Sequence, residues 1–169
     1  MATTTNPASA KLRPTHHTLD ATIREKSVDQ LQAILYDILD ATAFVKQAHW
    51  NVKGPNFIAF HELLDQVYTM LADHSDTVAE QIVILGGQAI GTTRAVAAAS
   101  RLDAYPTDVT DLDKHVDLLA DRLARFGGSL REAIEATSNA GDADTADLFT
   151  QVSRDVDKHV WFIEAHHQH

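Results

Sequence analysis

The sequence predicts an all-α fold: four long helices in a bundle, with a short extra helix inside one long crossover. Three observations point there. Apolar residues recur at helical spacing through four long segments, and no stretch alternates polar with apolar as a half-buried strand does. Pro7, Pro14, Pro55 and Pro106 all lie outside those segments. The first two segments and the last two are joined tightly, whereas residues 88–109 separate the middle pair.

The first helix is expected to begin at Ser27, with Gln30 completing a capping box. Its apolar stripe of Leu31, Leu35, Ile38 and Val45 leads to His49, and Gly54-Pro55 breaks it. The second carries Phe57, Phe60, Leu64, Val67, Leu71, Val78, Ile82 and Leu85, and stops at Gly86-Gly87. Residues 88–109 form the crossover, with a short helix around 95–101. The third helix starts at Thr110 and buries Leu112, Val116, Leu119, Leu123, Phe126, Leu130 and Ile134. Gly127-Gly128 within it costs about 2 kcal/mol of helix propensity, which close packing would explain. Gly141 ends it, and the fourth helix carries Phe149, Val152, Val156, Val160 and Ile163. Two antiparallel hairpins joined by a crossover long enough to span the bundle make the ferritin-like topology. The expected organisation is a flexible N-terminal arm over 1–26, the bundle over 27–165 and a short tail over 166–169.

Composition narrows the chemistry. The chain of 169 residues is 44% apolar, enough for one ordinary core. No apolar run approaches the roughly 20 residues of a membrane span, and the N-terminus lacks a secretory apolar stretch, so a cytoplasmic location is expected. Cysteine is absent, which excludes disulfides, thiolate metal sites and thiol nucleophiles. A metal would have to be held by histidine and carboxylate, a donor set that suits iron, manganese or zinc. The net charge of −10 argues against a simple nucleic-acid-binding domain and suits either cation attraction or plain solubility.

The second helix carries the sharpest pattern. His61, Asp65, Asp76 and Glu80 fall within about 100° of one another around the axis, on one face. Yet His61 and Glu80 stand about 28 Å apart along it, too far to share a metal within one copy. Their spacing is palindromic about the Met70–Leu71 bond. Two copies crossing antiparallel there would set Asp65 against the second copy's Asp76, and His61 against its Glu80. The hairpin turn brings His49 beside His61, so each of two equivalent sites takes His49, His61 and Asp65 from one subunit and Asp76 and Glu80 from the other. Taken singly, His49 reads as a packed core histidine, and Asp76 with Glu80 as a solvated face. The symmetry joining the five favours a metal site. Asp111/His115 and Asp155/His159 read as surface pairs, Glu164 with His167 as a motif at a frayed end, and His166, His167 and His169 as a mobile tail with adventitious metal affinity.

The stretch KQAHWNVKGPNFIAFHELLDQ at 46–66 resembles the Dps family, the DNA-binding proteins from starved cells or mini-ferritins. So do DHSDTVAEQIVILGG at 73–87, GTT at 91–93 and SRDVDKHVWFIE at 153–164, and the resemblance spans 27–165. It implies a dodecameric shell of four-helix subunits built from two-fold dimers. It also implies a ferroxidase: Fe(II) is oxidised, typically by hydrogen peroxide, and the ferric product is stored inside. Iron is then substrate and product, and no organic cofactor is implied. The family's intersubunit ligands fall on His49, His61, Asp65, Asp76 and Glu80. Trp50 matches a tryptophan that takes up oxidising equivalents in the family, or serves as a packing aromatic. Asp142, Asp144 and Asp147 fall where an ion-entry pore would lie, and equally where aspartates cap a helix. DNA binding would rest on Lys11 and Arg13 of the arm, aided by His16 and His17 and opposed by the acidic body. The alternative function is therefore a nonspecific DNA-binding, nucleoid-compacting shell with secondary iron handling. A third reading makes the polar face of the second helix only a register device for dimerisation.

Overall fold

A computed structural model describes residues 12–167. They form α1 (Ala21–Asn51), α2 (Phe57–Ile84), α3 (Thr93–Ala99), α4 (Leu112–Ala140) and α5 (Ala143–Glu164). The architecture is the expected all-α, ferritin-like bundle, with the short α3 in the crossover between α2 and α4. The expected stripes face inward: Leu31, Ile38, Leu64, Leu71, Leu119 and Phe149 are fully buried. Each such side chain contributes about 1.5–3 kcal/mol relative to exposure.

Helix boundaries moved where tertiary bonds outweigh local signals. The helix expected to start at Ser27 begins at Ala21, so 21–26 belong to the bundle and not to an arm. Ser27 is completely buried inside α1 and caps nothing. The reason lies in Arg24, whose guanidinium donates to the Leu19 and Leu85 carbonyls and holds the early turn against the end of α2. Residues before the helix are tied down too. The Arg13 N–H donates to the Gly86 carbonyl at 2.8 Å, and Leu12 and Leu19 pack on the core. Gly86 has φ +93°, and a Cβ there would come within 2.8 Å of the Arg13 carbonyl oxygen.

At the other boundaries, α4 starts at Leu112 and not Thr110, because Lys53 pairs with both Thr110 and Leu112 through backbone bonds of 2.7 and 3.1 Å. The Asp111 carboxylate then caps the helix from the Lys114 N–H. In α4, a Cβ on Gly127 would press on Arg131 and Asp157, which pair across to α5, whereas Gly128 has open space around it. Close packing explains the first glycine only.

The crossover is anchored at its midpoint. Asp37 of α1 is fully buried and accepts from the Arg101 backbone N–H, Nε and Nη2 at 2.9, 2.9 and 2.6 Å. Ser100 donates to Asp40 beside it, and the run of α3 ends there.

Candidate metal centre

His49 lies in the last turn of α1 and His61 in the second turn of α2, facing each other across the hairpin. The turn is sharp: Gly54 has φ +138° and Asn56 sits in the left-handed region at φ 59°. Across it the two imidazoles make a reciprocal clasp. His49 Nδ1 is 3.1 Å from the His61 carbonyl oxygen, and His61 Nδ1 is 2.9 Å from that of His49. A carbonyl only accepts, so each Nδ1 carries the proton and each Nε2 keeps its lone pair. This is the outer support that orients metal-binding histidines. The rings stack at 3.7 Å, and Phe57 lies against His61 at 5.1 Å.

Asp65, one turn beyond His61, completes the cluster. Among the described residues, His49, His61 and Asp65 are the one group of three or more such side chains whose ligand atoms lie within 4.8 Å of one another. Lys46 Nζ sits 2.5 Å from Asp65 Oδ1 and 4.6 Å above the Tyr68 ring. Its hydrogen bond is the largest influence holding the exposed Asp65 carboxyl below the usual carboxylate range, with desolvation opposing it. Sequence reasoning missed Lys46; its position three residues before His49 puts it on the same side of α1.

Asp76 and Glu80 do not join this cluster within one chain; both are exposed farther along α2. The same face bears exposed apolar residues that sequence reasoning did not single out. Ile58 is 60% and Val83 46% exposed, with Phe57 and Ile84 beside them. Reflection about the Met70–Leu71 bond exchanges Ile58 with Val83 and Phe57 with Ile84, just as it exchanges Asp65 with Asp76. Val83 and Ile84 line a shallow groove with Ala79, Glu80 and Ala89, so the apolar groove runs directly into the carboxylate of Glu80. The signal was present in the sequence, in the palindrome that had been read for ligands alone. Trp50 is 70% exposed, so it is not a core aromatic of its own chain.

The remaining expectations divide. Asp142 is buried, accepting from the Thr145 N–H and hydroxyl at 3.0 and 2.7 Å, so it is a helix cap and is not available to a pore. Asp144 and Asp147 are exposed. Lys11 lies outside the described residues, as does His169. Arg13 points its guanidinium at the Val83 carbonyl, 3.1 Å away, at the electronegative end of α2. Asp111/His115 is no surface pair: His115 is completely buried and hydrogen-bonded to Tyr105. Asp155 accepts from His74 across the α2–α5 groove at 2.8 Å. The C-terminal histidines are held as well, His166 on the Phe162 carbonyl and His167 on Asp117.

The chain is similar to known proteins over nearly its whole length. A family profile described as Ferritin-like domain matches residues 28–169. The DNA protection during starvation protein of Agrobacterium fabrum is 44% identical, covering 94% of this chain and 98% of that one. The protein of the same name from Brevibacillus brevis is 33% identical over 82% of this chain and 96% of its own. The structure of Mycobacterium smegmatis Dps superposes with a TM-score of 0.87 at 29% identity, covering 91% of this chain and 94% of that one.

Proposed function

The chain belongs to the Dps family of ferritin-like proteins, and on that premise we propose that it oxidises Fe(II) at a centre shared by two subunits and stores the ferric product in a hollow homo-oligomeric shell. The observation that carries this reading is the His49–His61 clasp. It fixes two imidazoles beside Asp65, on a helix whose mirror positions hold Asp76 and Glu80. Two imidazoles with three carboxylates suit Fe(II) and, through their anionic oxygens, stabilise the greater charge of Fe(III). Hydrogen peroxide is the oxidant of this reading: two Fe(II) each give one electron, the O–O bond breaks, and two hydroxides result. The groove of Val83 and Ile84 receives the second copy's Ile58 and Phe57, which closes the site from water. Twelve subunits and a cytoplasmic location complete the proposal; no helix among the described residues is long and apolar enough to cross a membrane.

Complementation tests the shared site. His61→Ala and Glu80→Ala remove ligands from opposite sides, so a mixed dimer collects both defects in one site and neither in the other. With random co-assembly about a quarter of all sites are native. Co-refolded variants should therefore oxidise Fe(II) well above the mean of the separate preparations. A mixture no faster than that mean, with subunit exchange verified by mass spectrometry, rules out the shared centre.

A second reading, protection of DNA by direct binding, is favoured by the name the relatives carry. Against it stand the net charge of −10 and the tethering of Arg13. Any retardation of DNA should fall steeply with added salt, because it would rest on phosphate neutralisation.

A further inference from the structure

Half-buried Tyr105 of the crossover meets the buried His115 of α4, and the pair takes no part in the metal centre. The Tyr105 hydroxyl and His115 Nδ1 are 2.6 Å apart. Their rings are nearly parallel, at 4°. Phe44 of α1 stacks on the other side of Tyr105 at 5.5 Å, and the Arg122 guanidinium lies 5.2 Å over its ring. His115 is 0% exposed, and the Val109 backbone lies against its ring.

A latch for the crossover would not be built this way. Arg122 already ties the loop through the carbonyls of Asp103 and Ala104, and Asp37 ties it at Arg101. What the arrangement does provide is a neutral base in direct hydrogen bond with a phenol. Burial lowers the tendency of His115 to hold a proton in the resting state, so the base is vacant when needed. Among the described residues, neither Tyr36 nor Tyr68 has such a base on its hydroxyl.

We propose that Tyr105 is a one-electron relay, with His115 Nδ1 as its proton acceptor, that intercepts oxidants of the hydroxyl-radical class. A hydroxyl radical, or a hole derived from one, takes one electron from the phenol and becomes hydroxide. The phenolic proton passes along the hydrogen bond to His115, leaving a neutral tyrosyl radical and an imidazolium. A later Fe(II) returns the electron and becomes Fe(III), and the proton returns to the phenol. The inference rests on the proposed iron chemistry only for the source of the oxidant. Phe44, five residues before His49 on the same helix and so about 7.5 Å from it along the axis, joins the two regions.

The test separates the pair from the iron. Azide radical, generated by pulse radiolysis in iron-free assembled protein, should give a tyrosyl signal in the Tyr36→Phe/Tyr68→Phe background. Tyr105→Phe alone, which keeps Tyr36 and Tyr68, should lose most of the tyrosyl signal of the parent. His115→Gln keeps an acceptor for the phenol but offers no base, so radical formation should slow about a hundredfold while thermal stability holds. Deuterated solvent should slow the parent and not this variant. A parent-sized tyrosyl signal in Tyr105→Phe alone, or no signal in the Tyr36→Phe/Tyr68→Phe background, overturns the proposal. So does a His115→Gln protein with unchanged rate and isotope effect, which would leave the pair a structural latch. A Tyr105 signal with azide radical but none after Fe(II) and peroxide would support the pair and count against the peroxide reading.

Discussion

Burial of Tyr105 and His115 pushes their titrations in opposite directions, the phenol up and the imidazole down, with Arg122 and Asp111 partly opposing. Each shift has a consequence for stability. A histidine with a depressed folded pKa binds fewer protons folded than unfolded, so it costs stability as pH falls below the unfolded value of about 6.5. The loss levels off below its folded pKa. A tyrosine with a raised folded pKa does the converse and costs stability as pH rises above about 10. The melting temperature should therefore fall between pH 7 and pH 5 more in the parent than in His115→Gln. Parallel melting curves for the two proteins over that range would show that another group governs the acid limb. His115 also marks a limit of sequence reading. Its i,i+4 spacing from Asp111 looked like a surface pair, and only the crossover folding back as Tyr105 buries it.

Among the elements, the crossover is the one whose course local signals did not determine. Its short helix appeared near its expected place because Thr92 and Ser100 bound a run of alanines. Its attachment depends on Asp37, which sits in the expected apolar stripe region of α1 and gave no hint of its partner. Asp37→Ala removes three charge-assisted hydrogen bonds from Arg101 and should cost about 2–3 kcal/mol. The first cut in limited proteolysis should then fall within 88–109, and cleavage elsewhere at parental rates would disprove the anchor. The strap over residues 12–20 behaves similarly. A free arm could be deleted without effect, whereas deletion of 1–19 here removes Leu12, Leu19 and the Arg13 bonds to Val83 of α2 and to Gly86 just beyond it. That deletion should lower the melting temperature by several degrees; an unchanged value would return the segment to the status of a loose arm.

For the whole molecule, what was legible in the sequence was symmetry. The stripes gave the four helices and the palindrome gave a pairing rule, because both are periodic features of a straight helix. Lys46 against Asp65 and Arg13 against Val83 were not legible, since they join residues through tertiary approach without a repeat. The pairing rule yields a test that needs no iron. Ile58→Lys or Val83→Glu alone should dissociate the two-fold dimer, by placing an unpaired charge in an apolar groove. Combined in one chain, the two charges face each other across the axis and should restore much of the assembly. Sedimentation velocity distinguishes the cases, and a double variant as dissociated as the singles would sink the antiparallel register.

The clasp between His49 and His61 also orders events during synthesis. Until α2 has emerged and folded back on α1, neither ring has its carbonyl partner and neither lone pair has a direction. A nascent chain therefore offers passing Fe(II) only scattered, weak donors. On the proposed reading the two imidazoles and Asp65 come together with hairpin closure, and the last carboxylates join only when a second copy docks. Under that reading, redox-active cargo is held only once backbone and interface are both in place.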